Sequence, residues 1–232
     1  MSTISQLESG QFDAVLFDLD GTLVDTAPDM VAVVQELQSD KGLEPLAFEV
    51  GRSQVSNGAL GLLRVGFPKA DEEQLEALLQ EFLQRYEAAL CINSTVYPGL
   101  GDLLDKLDAA RRPWGVVTNK PARITDPLLD ALNLSHRLAC AVSGDTLATR
   151  KPDPGQLLFA CAMANLKPER TVYVGDAARD IEAGRAAGMA TIAVEYGYIT
   201  ADDDPATWDA DLIVADPQEL AQTVLKAVNL VV

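Results

Sequence analysis

The chain has 232 residues, 48% of them hydrophobic, and a formal net charge of −17. That length suits one large domain or one domain carrying an insert, and the apolar fraction suits a folded core. So acidic a chain is excluded as a binder of nucleic-acid backbones or anionic membranes, and its charge otherwise serves solubility. The opening "MSTISQLESGQF" has no basic start and no apolar stretch, so no signal peptide is expected. No apolar run approaches the ~20 residues of a membrane span. Cys91, Cys140 and Cys161 form no CxxC pair and are expected to be free thiols in a reducing, cytoplasmic setting. The single histidine, His136, lies in the polar loop "LNLSHRL"; it rules out a multi-histidine zinc site and reads as a solvated loop residue.

In chain order, the first element is the apolar run Ala14–Phe17, which ends directly in Asp18 and Asp20. Pro28 to Lys41 reads as a helix. So does "DEEQLEALLQEFLQRYEAAL", in which Leu75, Leu78, Leu79, Phe82 and Tyr86 share a face and Asp71 serves as N-cap. No strand is expected between Thr26 and Asn93, so this interval reads as a helical insert. Beyond "YPGL", Leu100, Leu103, Leu104 and Leu107 mark a helix. The runs Trp114–Val117, Ala139–Val142, Thr171–Val174, Thr191–Val194 and Leu212–Val214 follow, with helical patterns between most of them: Ile124, Leu128 and Leu132, then Leu220, Val224 and Val228. Short apolar runs without alternation fit strands buried on both faces. Their alternation with helices predicts a doubly wound, Rossmann-like α/β parallel sheet. The expected division is a discontinuous core of residues 1–25 and 94–232 and a small α-helical cap domain of residues 26–93 inserted after the first strand.

In such a sheet, ligands bind at the carboxyl ends of the strands. Asp18 and Asp20 follow the first strand there. Thr118, Asn119 and Lys120 follow the second, Lys151 in "TRKPDP" lies in the loop after the third, and Gly175, Asp176 and Asp180 follow the fourth. Carboxylates crowded on one rim would take up protons unless a cation compensates them. An all-oxygen cluster suits Mg²⁺. Asp18 and Asp176 are the leading ligands, with the backbone carbonyl of Asp20 available and Asp180 holding a ligand or its water. Lys151 and Thr118 then face an anionic substrate such as a phosphoryl group. Asp18 can attack phosphorus, and Asp20, two residues on, can give and take the proton. Gly21 permits the turn between them.

With these residues in place, the sequence resembles the haloacid dehalogenase-like superfamily. "DLDGT" resembles its first motif, "VVTN" its second, Lys151 in "RKPDP" its third and "VGDAARD" its fourth, over nearly the whole chain. The resemblance implies Asp18 as nucleophile, Asp20 as acid/base, Thr118 as phosphate-binding hydroxyl, Lys151 as charge stabiliser, and Asp176 and Asp180 as metal-site acids. The second acid, Asp20, is similar to that of the phosphatases and mutases; the dehalogenases lack it. Within the superfamily the chain resembles the phosphoglycolate phosphatases. "WGVVTNKP" and "YGYITADDDPATWDADLIV" are similar to bacterial N-acetylmuramic acid 6-phosphate phosphatases. The implied cap leaves substrate choice to residues such as Arg52, Ser56, Asn57 and Arg64, with Arg52 the leading candidate for a substrate carboxylate. The expected partner is a small-molecule phosphate ester handled by a monomer or weak dimer, with no nucleic acid and no membrane. A phosphomutase on the same fold and a non-catalytic acidic binding module stay open as alternatives.

Overall fold

A computed structural model describes residues 3–230. The elements run α1 (Thr3–Glu8), β1 (Ala14–Phe17), β2 (Val24–Asp25), α2 (Ala27–Asp40), α3 (Phe48–Arg52), α4 (Gly58–Gly66), α5 (Glu72–Ala88), β3 (Thr95–Val96), α6 (Leu100–Ala109), β4 (Trp114–Val117), α7 (Ala122–Ala131), β5 (Cys140–Val142), α8 (Gly155–Ala164), β6 (Thr171–Gly175), α9 (Ala178–Ala186), β7 (Ala190–Val194), β8 (Leu212–Val214) and α10 (Pro217–Ala227). Six strands form one sheet in the order β5-β4-β1-β6-β7-β8, every neighbouring pair parallel. β1 is central, and the chain turns back across it to build the second half, so the switch point of the doubly wound sheet lies between β1 and β6.

All four residues of β1 are buried because the pleat sends them to opposite faces. Val15 and Phe17 pack with Leu100, Leu103, Leu104, Leu107, Leu220 and Val224 from α6 and α10. Leu16 packs on the other side with Leu157, Ala160 and Cys161 of α8 and Ala183 of α9. This is the physical reason the strand reads as a continuous apolar run.

Between β2 and β3 lie helices α2 to α5, which share a separate hydrophobic cluster of Met30, Val31, Val34, Leu37, Leu62, Leu63, Leu75, Leu78, Phe82 and Tyr86. α5 begins with a capping box. The Gln74 amide donates to Asp71 Oδ1 at 2.9 Å, and the Asp71 amide donates to Gln74 Oε1 at 3.0 Å.

β2 and β3 form a two-residue antiparallel ribbon with Val24 opposite Val96, an element that sequence reading misses because two residues carry no period. Beside it, buried Asp29 ties the two ends of the insert together. Its carboxylate accepts the amides of Asn93 and Ser94 at 2.8 and 2.9 Å and the Ser94 hydroxyl at 2.6 Å. The expected strand bounds shift by one residue in three places: the third starts at Cys140, the fourth ends at Gly175 and the fifth starts at Ala190. Among the described residues, no helix is long and apolar enough to cross a membrane.

Candidate active site

Three strands deliver the polar groups. β1 ends at Phe17 and hands the chain to Asp18, whose amide still donates to Val174 of β6 at 2.9 Å. Its carboxylate Oδ1 accepts the Leu19 amide at 2.7 Å. β6 ends at Gly175 and is followed by Asp176; the first turn of α9 supplies Asp180. Asp180 Oδ2 accepts the Ala177 amide at 3.1 Å, a helix-start bond that fixes its rotamer and aims Oδ1 inward. The positive φ of Gly21 and the close approach of Asp176 Oδ2, 2.2 Å from where a Cβ would stand, leave room for glycine alone at the turn after Asp20.

The buried side chain of Lys151 is the hub. Its Nζ lies 2.6 Å from Asp180 Oδ1 and 3.0 Å from Asp18 Oδ1, and it donates to the Tyr173 hydroxyl at 2.8 Å and the Val117 carbonyl at 3.0 Å. Asn119 holds the lysine's backbone from both sides: its Oδ1 accepts the Lys151 amide and its Nδ2 donates to the Lys151 carbonyl, each at 3.1 Å. Thr118 is buried at the end of β4 and lines the same cavity as Asp18 and Asp20.

Asp20 stands apart from the other three acids. Its Oδ1 accepts the Thr26 hydroxyl at 2.5 Å and pairs with Lys120 Nζ at 2.8 Å. Lys120 also lies over the ring of Tyr86 in α5, 4.9 Å from its centroid. Burial pulls the Lys120 ammonium toward neutrality, but Asp20 and Tyr86 outweigh it and raise its pKa, so it stays charged.

Asp18, Asp176 and Asp180 each place a carboxylate oxygen within 4.8 Å of the others, all buried. Burial, then the charges of Asp18 and Asp180, push the Asp176 carboxyl up to about 7. Asp180 is likewise raised, first by burial, although Lys151 opposes the shift. Lys151 and the Arg179 guanidinium bring two positive charges to three carboxylates, so an incoming phosphate dianion would meet an excess of negative charge. A hard, all-oxygen donor set with uncompensated charge fits the chemistry of Mg²⁺. The side chain of Asp20, held by Lys120, lies outside this trio.

The substrate-side candidates part company. Ser56 reaches the acid cluster: its hydroxyl donates to Asp176 Oδ2 at 2.7 Å, beside the Tyr198 amide at 2.9 Å. Asn57 lines the cavity, with its Nδ2 on Gln54. Arg64 does not line the cavity and faces Glu72 at 3.7 Å. Arg52 also lies outside the cavity lining. It donates to the Tyr196 and Gly197 carbonyls at 2.9 and 3.2 Å and stacks over Tyr198, 5.0 Å from its ring centroid. The expected carboxylate ligand therefore spends its donors on backbone carbonyls of the loop after β7, a partner 144 residues away that no local pattern reveals.

Several site residues escape sequence reading. Arg179 Nη2 donates to the Ser56 carbonyl at 2.8 Å, across from the insert to α9. Tyr198 accepts the amides of Thr26 and Ala27 at 2.6 and 2.9 Å and donates to Asp25 Oδ1 at 2.7 Å, which pins the start of the insert. Arg150, exposed and next to Lys151, lines the cavity. Its only advance signal was a position beside the motif lysine.

Comparison with known proteins decides the family. Residues 15–194 match the model of the haloacid dehalogenase-like hydrolases. The chain belongs to the haloacid dehalogenase-like hydrolase family. Among members of this family, an N-acetylmuramic acid 6-phosphate phosphatase of Pseudomonas aeruginosa is 43% identical over 92% of this chain and 95% of its own. A phosphoglycolate phosphatase of Xanthomonas campestris is 45% identical over 89% and 94%. In three dimensions, the crystal structure of a predicted phosphoglycolate phosphatase from Haemophilus somnus covers 91% of this chain and 97% of that one, with a TM-score of 0.80 and 29% identity. The haloacid dehalogenase-like fold, its acid cluster and its buried lysine thus occur here in a hydrolase whose relatives are named phosphatases.

Proposed function

We propose that the chain is a Mg²⁺-dependent phosphomonoesterase acting on a small phosphorylated metabolite through an aspartyl-phosphate on Asp18. The observation that carries this reading is the placement of Asp18 within the buried acid cluster, 3.0 Å from Lys151 Nζ, in the lining of a cavity that also includes Asp20. With Oδ1 engaged by the Leu19 amide and Lys151, the other oxygen of Asp18 is the one to attack phosphorus. Thr118 and the loop amides bind the non-bridging oxygens, and Lys151 offsets charge on Asp18 as the bond forms. Asp20, turned by Thr26 and Lys120, gives its proton to the departing oxygen. It then takes a proton from the water that attacks the aspartyl-phosphate, which releases phosphate and regenerates the Asp18 carboxylate. Mg²⁺ held by Asp18, Asp176 and Asp180 would supply the positive charge that lets a dianion enter.

Residues 26–93 act in this reading as a cap that closes over the rim of the core, residues 1–25 and 94–232, and excludes water. The relatives' names make N-acetylmuramic acid 6-phosphate and 2-phosphoglycolate the first substrates to test. The experiment is release of inorganic phosphate from both and from p-nitrophenyl phosphate, with borohydride reduction during turnover to trap the acyl phosphate as homoserine at position 18. Absence of phosphate release from every ester would overturn the reading.

A further inference from the structure

Buried Asp176 is gripped by three donors. Its Oδ1 accepts the Thr22 hydroxyl at 3.3 Å, and its Oδ2 accepts the Tyr198 amide at 2.9 Å and the Ser56 hydroxyl at 2.7 Å. Thr22 follows β1 and Tyr198 follows β7, but Ser56 lies in the insert, 120 residues from the acid it meets. The shortest of the three bonds on this acid therefore comes from the insert. The carboxylate is also packed against two glycines: a Cβ built at Gly21 would stand 2.2 Å from Asp176 Oδ2, and one built at Gly197 would stand 2.2 Å from Asp176 Cβ. With the acceptor sites of Oδ2 taken by two donors, Oδ1, held only by the longer Thr22 bond, is the oxygen left for a cation.

The same loop holds Ser56 by its backbone. The Ser56 carbonyl accepts Arg179 Nη2 at 2.8 Å, and Arg179 stands in the first turn of α9 beside Asp180. One segment, from Gly175 to Asp180, thus supplies two acids of the cluster and both groups that fasten Ser56. Ser56 belongs to the turn Val55–Asn57, and all three residues of that turn line the cavity that also holds Asp18 and Asp20. Acid cluster, insert and cavity wall meet at this one side chain. A hydrogen bond onto an ionised acceptor is among the stronger kinds, and partners of this sort are what fix the orientation of a metal's ligands.

We infer that Ser56 is a positioning residue of the metal site: it fixes Asp176 with Oδ1 left to the cation, and so couples Mg²⁺ binding to docking of the insert on the core. This rests on the Mg²⁺ reading above, and it moves Ser56 from the substrate to the metal. The coupling is reciprocal by linkage. Docking of the turn Val55–Asn57 orients a metal ligand and tightens Mg²⁺ binding; Mg²⁺ in turn steadies the segment 175–180 and holds the turn down. The cation thereby completes one wall of the cavity before a substrate arrives.

The test uses the full chain without substrate and MgCl₂ as the only ligand. Calorimetric titration should give Ser56→Ala a Kd for Mg²⁺ about tenfold weaker than wild type, the low end of what losing a hydrogen-bond partner of a metal ligand costs. Ser56→Thr, which restores the hydroxyl, should return the Kd to within about threefold of wild type. Amide hydrogen exchange reads the reverse direction and needs no variant: Mg²⁺ should slow exchange of residues 53–58 in wild type. The same slowing is expected in Ser56→Thr and should be lost in Ser56→Ala. An equal Kd in Ser56→Ala and wild type would overturn the inference, as would a tighter one, which would make Ser56 a competitor of the cation. Exchange at 53–58 that ignores bound Mg²⁺ in wild type would overturn it too. These three outcomes leave the Mg²⁺ reading standing, whereas failure of wild type to bind Mg²⁺ at all would remove that reading and the inference with it.

Discussion

Lys151→Met removes the cation from the center of the site while keeping most of the stem's volume. Lys151 Nζ lies between Asp180 at 2.6 Å and Asp18 at 3.0 Å, all three side chains buried or nearly so. Taking one partner from a buried ion pair costs about 3–5 kcal/mol, because the remaining charge is left uncompensated in a poorly solvated place. Here two carboxylates lose their counter-charge, and Asp176 beside them is already pushed up to about 7 by burial and by the same two neighbours. For a chain of this length 1 kcal/mol shifts Tm by about 2–4 °C, so Lys151→Met in EDTA should melt roughly 6–20 °C below wild type near neutral pH. Adding Mg²⁺ should narrow the gap, since a ligand that binds only the folded state stabilises it by mass action. Adding Asp180→Asn in the same chain should recover part of the loss, because one of the stranded charges is then gone. The assay is thermal unfolding followed by circular dichroism in EDTA and in excess Mg²⁺. A variant melting within about 2 °C of wild type in EDTA would refute the claim that Lys151 holds the acid cluster together.

Asp18→Asn should abolish phosphate release in Mg²⁺ while raising Tm slightly in EDTA, since one repelling charge leaves the cluster; turnover above about a thousandth of wild type, with deamidation excluded by mass spectrometry, would count against Asp18 as nucleophile. Phosphate release should need no sugar bisphosphate activator, whereas a mutase would show a lag that the activator removes; a continuous phosphate assay reads this directly. Activity should disappear in EDTA and return with Mg²⁺, while Ca²⁺ should inhibit because its larger, often bidentate coordination occupies both oxygens of the attacking carboxylate. Arg52→Ala should lower kcat/KM by roughly tenfold and by the same factor for esters with and without a carboxylate, because it removes two hydrogen bonds and a ring contact between insert and core. A loss confined to carboxylated esters would return Arg52 to the substrate. Burial raises the Cys140 thiol to about 12, so its thiolate is scarce and Cys140 should resist Ellman's reagent at pH values well below that until the protein is unfolded.

Much of this architecture is legible in the residues themselves. A strand buried on both faces is mostly apolar, so Ala14–Phe17, Trp114–Val117 and Thr171–Val174 announce a parallel sheet. In such a sheet the residues just past the strands must gather on one rim. Asp18, Thr118, Lys151, Asp176 and Asp180 could therefore be placed together from order and spacing alone, and an all-acid cluster already asks for a hard cation.

What the tertiary structure decided is which partner each polar side chain meets, because those contacts join residues far apart in the chain. Arg52 reads as a free cation until the loop at Tyr196 and Gly197 is folded beneath it. Lys120 reads only as a residue that follows the second strand until Asp20 and Tyr86, from two different parts of the chain, enclose it. Tyr198 and Asp29 hold the two ends of the insert through bonds spanning 172 and 65 residues, and β2 and β3 exist only because each finds the other. Periodicity reports which face of an element is buried. The hydrogen-bond partner of a side chain depends on how the packed elements bring distant backbone and side-chain atoms within about 3 Å, and no local pattern encodes that.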